Sequence, residues 1–388
     1  MSNAHWLALT TISGIGGVTA RKLIDRFGDV ESIFAASVEE LIEIPRVTTL
    51  MAPQLLAAPI HQLDSEMLSL SDEGIDLLTW DDDRFPTRLR PLSDAPMVLF
   101  MRGAVKRTDE NAVAIVGTRE PSPAAVETAT RLGRELAERG LTIISGLALG
   151  IDTAGHRGAI ETGRTIAVLG SGIRFIHPKE NIELAEDIIG CGAVLSELHP
   201  NTPPRGQNLM ARDRIISGLS RAVIVIEAGE KSGSLDTASK AIKQGRFVYA
   251  VPGSAGTDQL IAGGARVINP ASLDFDALAA EVSQSATRAE PPAPHQASLW
   301  QVAPMVTTEL HTRSKCAPPA GLDRLKSGVN SRTMTVGRAP FRRRQAAHPR
   351  PSGRGTWTSS SEEYSAGSNR QNHSSMQMIC TKKIDAYT

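Results

Sequence analysis

The chain carries several short strings in which glycine stands beside a cation or a hydroxyl, and each directly follows an apolar run. Gly117-Thr118-Arg119 comes after Ala112–Val116 and before Pro121, Ser122 and Pro123, which open a helical stretch. A glycine there permits a tight turn and close backbone approach. Free N–H groups at the helix start, together with an arginine, make an anion site. Ser145-Gly146 follows the next apolar run and leads through Gly150 to Asp152 and His156. Asp152 is placed to act as an N-cap accepting backbone N–H bonds. His156, one helical turn on, faces Asp152 in a structural hydrogen-bonded pair rather than an acid–base dyad, because no nucleophile lies beside it. Gly170-Ser171-Gly172 then precedes Phe175, Lys179 and Asn181, which adds backbone donors, a cation and an aromatic of the kind that stacks on a base. Phe175 suits a core position equally well. Arg212 and Arg214 are two residues apart and cannot share a helix face, so one is expected to bind an anion while the other forms an ion pair. Ser232-Gly233-Ser234-Leu235 opens a further helix after Glu227.

Taken together, these turns place backbone donors and cations along one edge of a sheet, where an extended polyanion fits better than a single mononucleotide. The G-x-G-x-x-G fingerprint is absent, since Gly170-Ser171-Gly172 leads to Phe175 rather than glycine, and there is no Walker A string. Neither NAD nor ATP is implied, and no cofactor is expected.

The elements that must hold these turns alternate in type. Buried-strand candidates are Ala112–Val116, Leu141–Ile144, Thr165–Leu169, Ala193–Ser196, Ala222–Ile226 and Arg246–Val251. Between them lie amphipathic stretches such as Ala124–Arg139, Thr153–Glu161, Asn181–Ile189 and Leu235–Lys243. Short β-branched strands alternating with longer helices specify an α/β fold with a doubly wound parallel sheet. Ligands of such sheets bind beyond the carboxyl ends of the strands, where the glycine turns fall.

The patterning divides the chain into four segments. Residues 1–65 read as a small all-helical domain, with Ser37 and Glu40 spaced as a capping box. Residues 66–110, broken by Pro86, Pro91 and Pro96, read as a connector packed on the domain after it. Residues 111–285 form the α/β domain. Residues 286–388 are rich in Pro, Ser, Arg, Thr and Asn with few apolar positions, and read as a disordered basic tail in which no winged helix is recognisable. Net charge over 388 residues is zero, yet residues 291–388 hold 14 Lys/Arg against 5 Asp/Glu, leaving 28 against 37 in the rest. Any anion site in the first three quarters must therefore be local. Three scattered cysteines, Cys191, Cys316 and Cys380, form neither a metal spacing nor a disulfide framework, which fits a reducing cytoplasm. No metal site, secretion signal or membrane helix is expected.

Near the N-terminus, Ile12-Ser13-Gly14-Ile15-Gly16-Gly17-Val18 precedes a helix bearing Arg21 and Lys22. A Gly-x-Gly turn between helices can offer N–H groups to a DNA phosphate, as helix-hairpin-helix modules do. Ile44-Pro45-Arg46-Val47 reads as a degenerate second copy, with Arg46 where the glycine should stand.

Several strings in order resemble the DprA (Smf) DNA-processing family: Ala114-Ile115-Val116-Gly117-Thr118-Arg119, the run from Ser145 to Asp152 and His156, Arg212-x-Arg214-Ile215-Ile216, Glu227-Ala228 with Ser232-Gly233-Ser234, and Val251-Pro252-Gly253. The likeness spans roughly residues 7 to 270. It implies a SAM-like or helix-hairpin-helix domain followed by an extended Rossmann-like domain. It also implies a protein that binds single-stranded DNA, protects it during natural transformation, loads the recombinase RecA in recombination, and forms homodimers through the Rossmann-like domain. The family's phosphate-binding arginine falls on Arg119 and the basic residue of its Tyr-Pro-Lys-x-Asn stretch on Lys179. The family's Phe-Pro-x-Arg-Asn-Arg appears as Leu209-Met210-Ala211-Arg212-Asp213-Arg214, which sets an anion between two arginines.

The competing class is a nucleotide enzyme resembling the phosphoribohydrolases. Those need a glutamate within the glycine-rich helix start, and neither Gly233 nor Gly256-Thr257 is followed by glutamate before Glu281. A non-enzymatic DNA binder is the expectation. A scaffold that merely retains the fold is the third class, because fold does not fix function.

Overall fold

Apolar residues at helical spacing fold the chain up to residue 72 into six helices: α1 (Asn3–Thr11), α2 (Gly17–Phe27), α3 (Val30–Ala35), α4 (Val38–Ile42), α5 (Met51–Leu56) and α6 (Ile60–Asp72). This computed structural model describes residues 3–284, so the expectations for the basic tail lie outside the described residues. The capping box at α4 is present in full. Glu40 N–H donates to Ser37 Oγ at 3.2 Å, and Ser37 N–H donates to Glu40 Oε2 at 2.8 Å.

The two hairpin turns are the same turn built from different residues. Gly14 has φ +91 and Ile15 N–H donates to the Ile12 carbonyl at 3.1 Å. Thirty-two residues later Arg46 has φ +83 and Val47 N–H donates to the Ile44 carbonyl at 3.0 Å. Arginine is therefore held in the left-handed region that glycine occupies in the first copy, at a cost of roughly 1 kcal/mol.

A nine-stranded sheet comes next, from β1 (Asp76–Thr79) and β2 (Val98–Gly103) through β3 (Ala112–Val116), α7 (Pro123–Glu138), β4 (Thr142–Ser145), α8 (Ile151–Thr162), β5 (Thr165–Val168), α9 (Ile182–Cys191) and β6 (Ala193–Ser196). The chain continues with α10 (Gly206–Leu219), β7 (Ala222–Val225), α11 (Gly233–Lys243), β8 (Phe247–Ala250), α12 (Ala255–Ala262), β9 (Arg266–Val267) and α13 (Phe275–Gln284). Strand order is β1-β2-β6-β5-β4-β3-β7-β8-β9. The seven strands from β6 to β9 run parallel, as the alternation of strands and helices predicts. One edge adds two strands that the alternation does not show. The connector supplies β1 and β2, which pair antiparallel with each other and with β6. A hairpin needs no crossover helix, so an antiparallel edge is open to this segment where a parallel one is not.

Alternation within β3 shows how the layers are packed. Val113 and Ile115 face α7, α8 and α13, while Ala112, Ala114 and Val116 face α10 and α11. A third cluster joins the N-terminal helices to β2, β6 and α9. Trp6 Nε1 donates to Asp81 at 3.0 Å, and the Arg21 guanidinium stacks over Trp80 while donating to the Arg90 carbonyl at 2.8 Å. Gly17 lies so close to the connector that a Cβ would come within 1.7 Å of the Ala95 carbonyl. Gly17 and Arg21 are thus used for docking, whereas Ser13, Gly14 and Gly16 of the first hairpin turn are exposed.

Candidate functional site

The strand order reverses between β3 and β7, and the cleft beyond the ends of these two strands is a cavity of about 520 Å³. Gly117, Thr118 and Arg119 line one side, and Gly229 with Lys231, Ser232, Gly233 and Ser234 lines the other. Gly117 is required by packing, since a Cβ would come within 2.5 Å of Ile151. Thr118 N–H donates to Glu227 O at 2.7 Å and its carbonyl accepts from Ile151 N–H at 3.2 Å, which pins the turn from both sides. Gly150, with φ +82, lets the β4 loop nestle under this turn; a Cβ there would meet Thr118 O at 2.4 Å. The Arg119 side chain projects outward, exposed, with no hydrogen bond or ion pair among the described residues. Lys231, across the mouth, is exposed in the same way. Strand-end reasoning did not single out Lys231, although it stands directly before the glycine turn that follows β7.

Under the rim the chemistry changes sign. Arg212 is buried; its Nη1 donates to Gly146 O at 2.7 Å and to Val168 O, and its Nε donates to Asp213 Oδ1 at 3.1 Å. Asp152 Oδ2 accepts from Gly146 N–H at 3.0 Å and Ala148 N–H at 3.3 Å. It binds backbone donors as expected, but in the loop before the helix, whose N-cap is Gly150. Burial pushes the Asp152 carboxyl up, against the opposing pull of Arg212 and these N–H groups. Burial likewise raises Asp213 to about 6, with Arg212 and Lys240 opposing and Asp236 and Asp152 adding to the rise.

The expected Asp152–His156 pair is corrected. His156 Nδ1 lies 2.6 Å from Thr165 Oγ1, and that hydroxyl already donates to Ile143 O at 2.7 Å. The imidazole must therefore be the donor, protonated at Nδ1, with a bare Nε2 that has no partner. Burial, then the nearby Arg212 charge, pushes His156 down to about 3, so it is neutral at physiological pH.

The other anticipated contacts divide into two groups. Ser145 is fully buried and donates to Ile115 O at 2.6 Å. Asn181 is buried, and its Nδ2 donates to Leu147 O at 2.9 Å and Thr153 Oγ1 at 2.8 Å, tying the β5 loop to the β4 loop. Gly146, Gly170 and Gly172 are packed rather than open. A Cβ would meet the Arg212 guanidinium at 2.3 Å, Leu209 Cα at 2.7 Å, and the carbonyls of His199 and Pro200 at 2.3 Å, respectively. Arg214 forms the ion pair expected of one member of its pair, with two 2.6 Å bonds to Glu197. Its neighbour Arg212 is not left open for an anion.

Phe175 and Lys179 form a second, separate group. With Ile173, Ile176, Ile182 and the ion pairs Arg174–Glu73 and Arg102–Glu186, they line a groove of about 360 Å³. Phe175 is 41% exposed and therefore not a core residue, and Lys179 is exposed with no side-chain partner among the described residues.

No group of three or more metal-ligating side chains occurs among the described residues, and no described helix is long and apolar enough to cross a membrane.

Residues 76–278 match the family described as DNA recombination-mediator protein A, and residues 7–52 match a SAM-like helix-hairpin-helix tandem. The chain is 36% identical over 250 residues to the DNA processing protein DprA of Bacillus subtilis (strain 168), covering 60% of this chain and 84% of that protein. It is 38% identical over 223 residues to the DprA of Streptococcus pneumoniae (strain ATCC BAA-255 / R6), covering 56% and 79%. The X-ray structure of DNA processing protein A from Streptococcus pneumoniae is similar with a TM-score of 0.62 at 32% identity, over 69% of this chain and 95% of that one. The chain belongs to the DNA recombination-mediator protein A (DprA) family.

Proposed function

We propose that this protein is a non-enzymatic binder of single-stranded DNA, with the strand running along the sheet edge from Arg119 at the switch-point cavity to Lys179 and Phe175 in the second groove. The observation that carries the reading is Arg119. It is a guanidinium held at a pinned glycine turn, exposed, and with no partner among the described residues. A cation left unneutralised on a chain whose first 290 residues are net acidic is a local anion site. Lys231 and Lys179 repeat the pattern, so the row suits successive phosphates, and Phe175 offers a face on which a base can stack.

In this reading residues 1–65 are a docked helical module, 66–110 a connector completing the sheet, and 111–285 the DNA-binding domain. The protein acts in the cytoplasm, protects incoming DNA, loads RecA, and dimerises through its Rossmann-like domain. An enzymatic role is disfavoured because the acids at the two helix starts are engaged. Asp236 pairs with Lys240 at 2.5 Å, and Asp258 accepts from Gly253 N–H at 2.9 Å.

The test is fluorescence-anisotropy binding of a labelled oligo(dT) to wild type and Arg119→Ala at two salt concentrations. Binding should weaken steeply with salt, because each neutralised phosphate releases counterions. Salt-independent binding, or full affinity in Arg119→Ala, would count against it.

A further inference from the structure

The cavity at the switch point is larger than a phosphate requires, and its floor is wrong for one. Its lining sets the exposed cations Arg119 and Lys231 and a helix start beside apolar Leu209, Met210 and Ile216 and the nearly buried carboxylate of Asp213. We propose that this cavity receives a nucleobase and favours one bearing an exocyclic amino group over thymine or uracil, with the Asp213 carboxylate as the acceptor. The inference rests on the single-strand-binding reading above.

The charges facing Asp213 leave it as the acceptor that is open. Asp152 is satisfied by the N–H groups of Gly146 and Ala148, and Asp236 by Lys240. Arg212 is spent on two carbonyls and on Asp213 Oδ1. Asp213 itself is 7% exposed and lines the cavity, and its Oδ2 has no hydrogen-bond partner among the described residues. An ionised carboxylate can only accept. The amino group of cytosine, adenine or guanine supplies a donor to it. Thymine and uracil present two carbonyl oxygens flanking a single N–H, and the oxygens are repelled. With a phosphate held at Arg119 and Lys231, the attached base is directed inward to this floor, and the apolar walls cover its faces.

Oligodeoxycytidine and oligodeoxyuridine of equal length isolate the effect, because cytosine and uracil share a shape and differ at the amino and carbonyl edge. Wild type should bind the cytidine strand roughly tenfold more tightly, the size of a hydrogen bond to a charged group. In Asp213→Asn, whose amide can donate or accept, the ratio should fall within about twofold while both strands still bind with salt sensitivity. Competition by cytidine and uridine 5′-monophosphates against the wild-type complex needs no variant and should show the same order. Equal wild-type affinity for the two strands, with salt-sensitive binding intact, overturns the base reading and leaves the proposed function standing. Binding of neither strand overturns both.

Discussion

The turns after β3 and β5 look alike as strings, each a short glycine-bearing polar stretch at a parallel-strand end, yet they do different work. After β3, Gly117-Thr118-Arg119 is pinned through its backbone and sends an unpartnered cation outward. After β5, Gly170-Ser171-Gly172 is closed over by the chain from β6 into the first turn of α10, with Leu209 of α10 against Gly170 and the His199 and Pro200 carbonyls against Gly172. The difference lies in what covers each turn. The β3 turn faces the gap where strand order reverses. The β5 turn lies under the passage from β6 to α10. A glycine can therefore admit a ligand or admit the protein's own backbone, and only the neighbouring segment decides which.

The contrast breaks most sharply at Gly172. Gly172→Ala should lower unfolding free energy by about 3 kcal/mol, measured by chemical denaturation, because backbone carbonyls rather than movable side chains stand in the way. A neutral result would mean that the β5 turn is open after all.

The floor beneath the open turn gives a pH signature. Asp213 keeps its proton to about 6 when folded but has an ordinary value of 3.8, so between these pH values the folded state binds more protons and stability falls as pH rises. Asp213→Asn removes this contribution. The variant should gain on wild type by roughly 2 kcal/mol across that window, read as the difference between two stability–pH curves. A flat difference would show that Asp213 is well solvated.

At the open turn itself, Arg119→Ala should weaken DNA binding by about tenfold while leaving the melting temperature unchanged. A fall in melting temperature would place Arg119 with the packed group. The smallest effect is expected at Lys179→Ala, a few-fold loss shared by all sequences with the salt slope reduced by about 1. Sequence-dependent loss there would point to base contact rather than phosphate contact.

Much of the architecture was legible in the chain. The strands at 112–116, 193–196 and their parallel partners show as β-branched runs because they are covered on both faces. The Ser37–Glu40 cap is local chemistry and needs no tertiary partner. The antiparallel edge was not legible, since pairing of β2 with β6 joins residues ninety or more positions apart. Among the site residues, spacing identified Arg119 and Lys179 as cations at strand ends. It did not separate them from Arg212, whose guanidinium is turned inward onto two carbonyls.

What the sequence by itself determined, then, is the periodic burial that makes a doubly wound sheet and the residue types available at its carboxyl edge. Which of those residues are open was decided by the tertiary structure. Exposure is a property of the segments that cross above a turn, and those segments come from distant parts of the chain. Arg46 is the plainest case: its residue type forbids the glycine turn on paper, yet the fold holds it at φ +83, because the packing of the helices around it outweighs a local strain of roughly 1 kcal/mol.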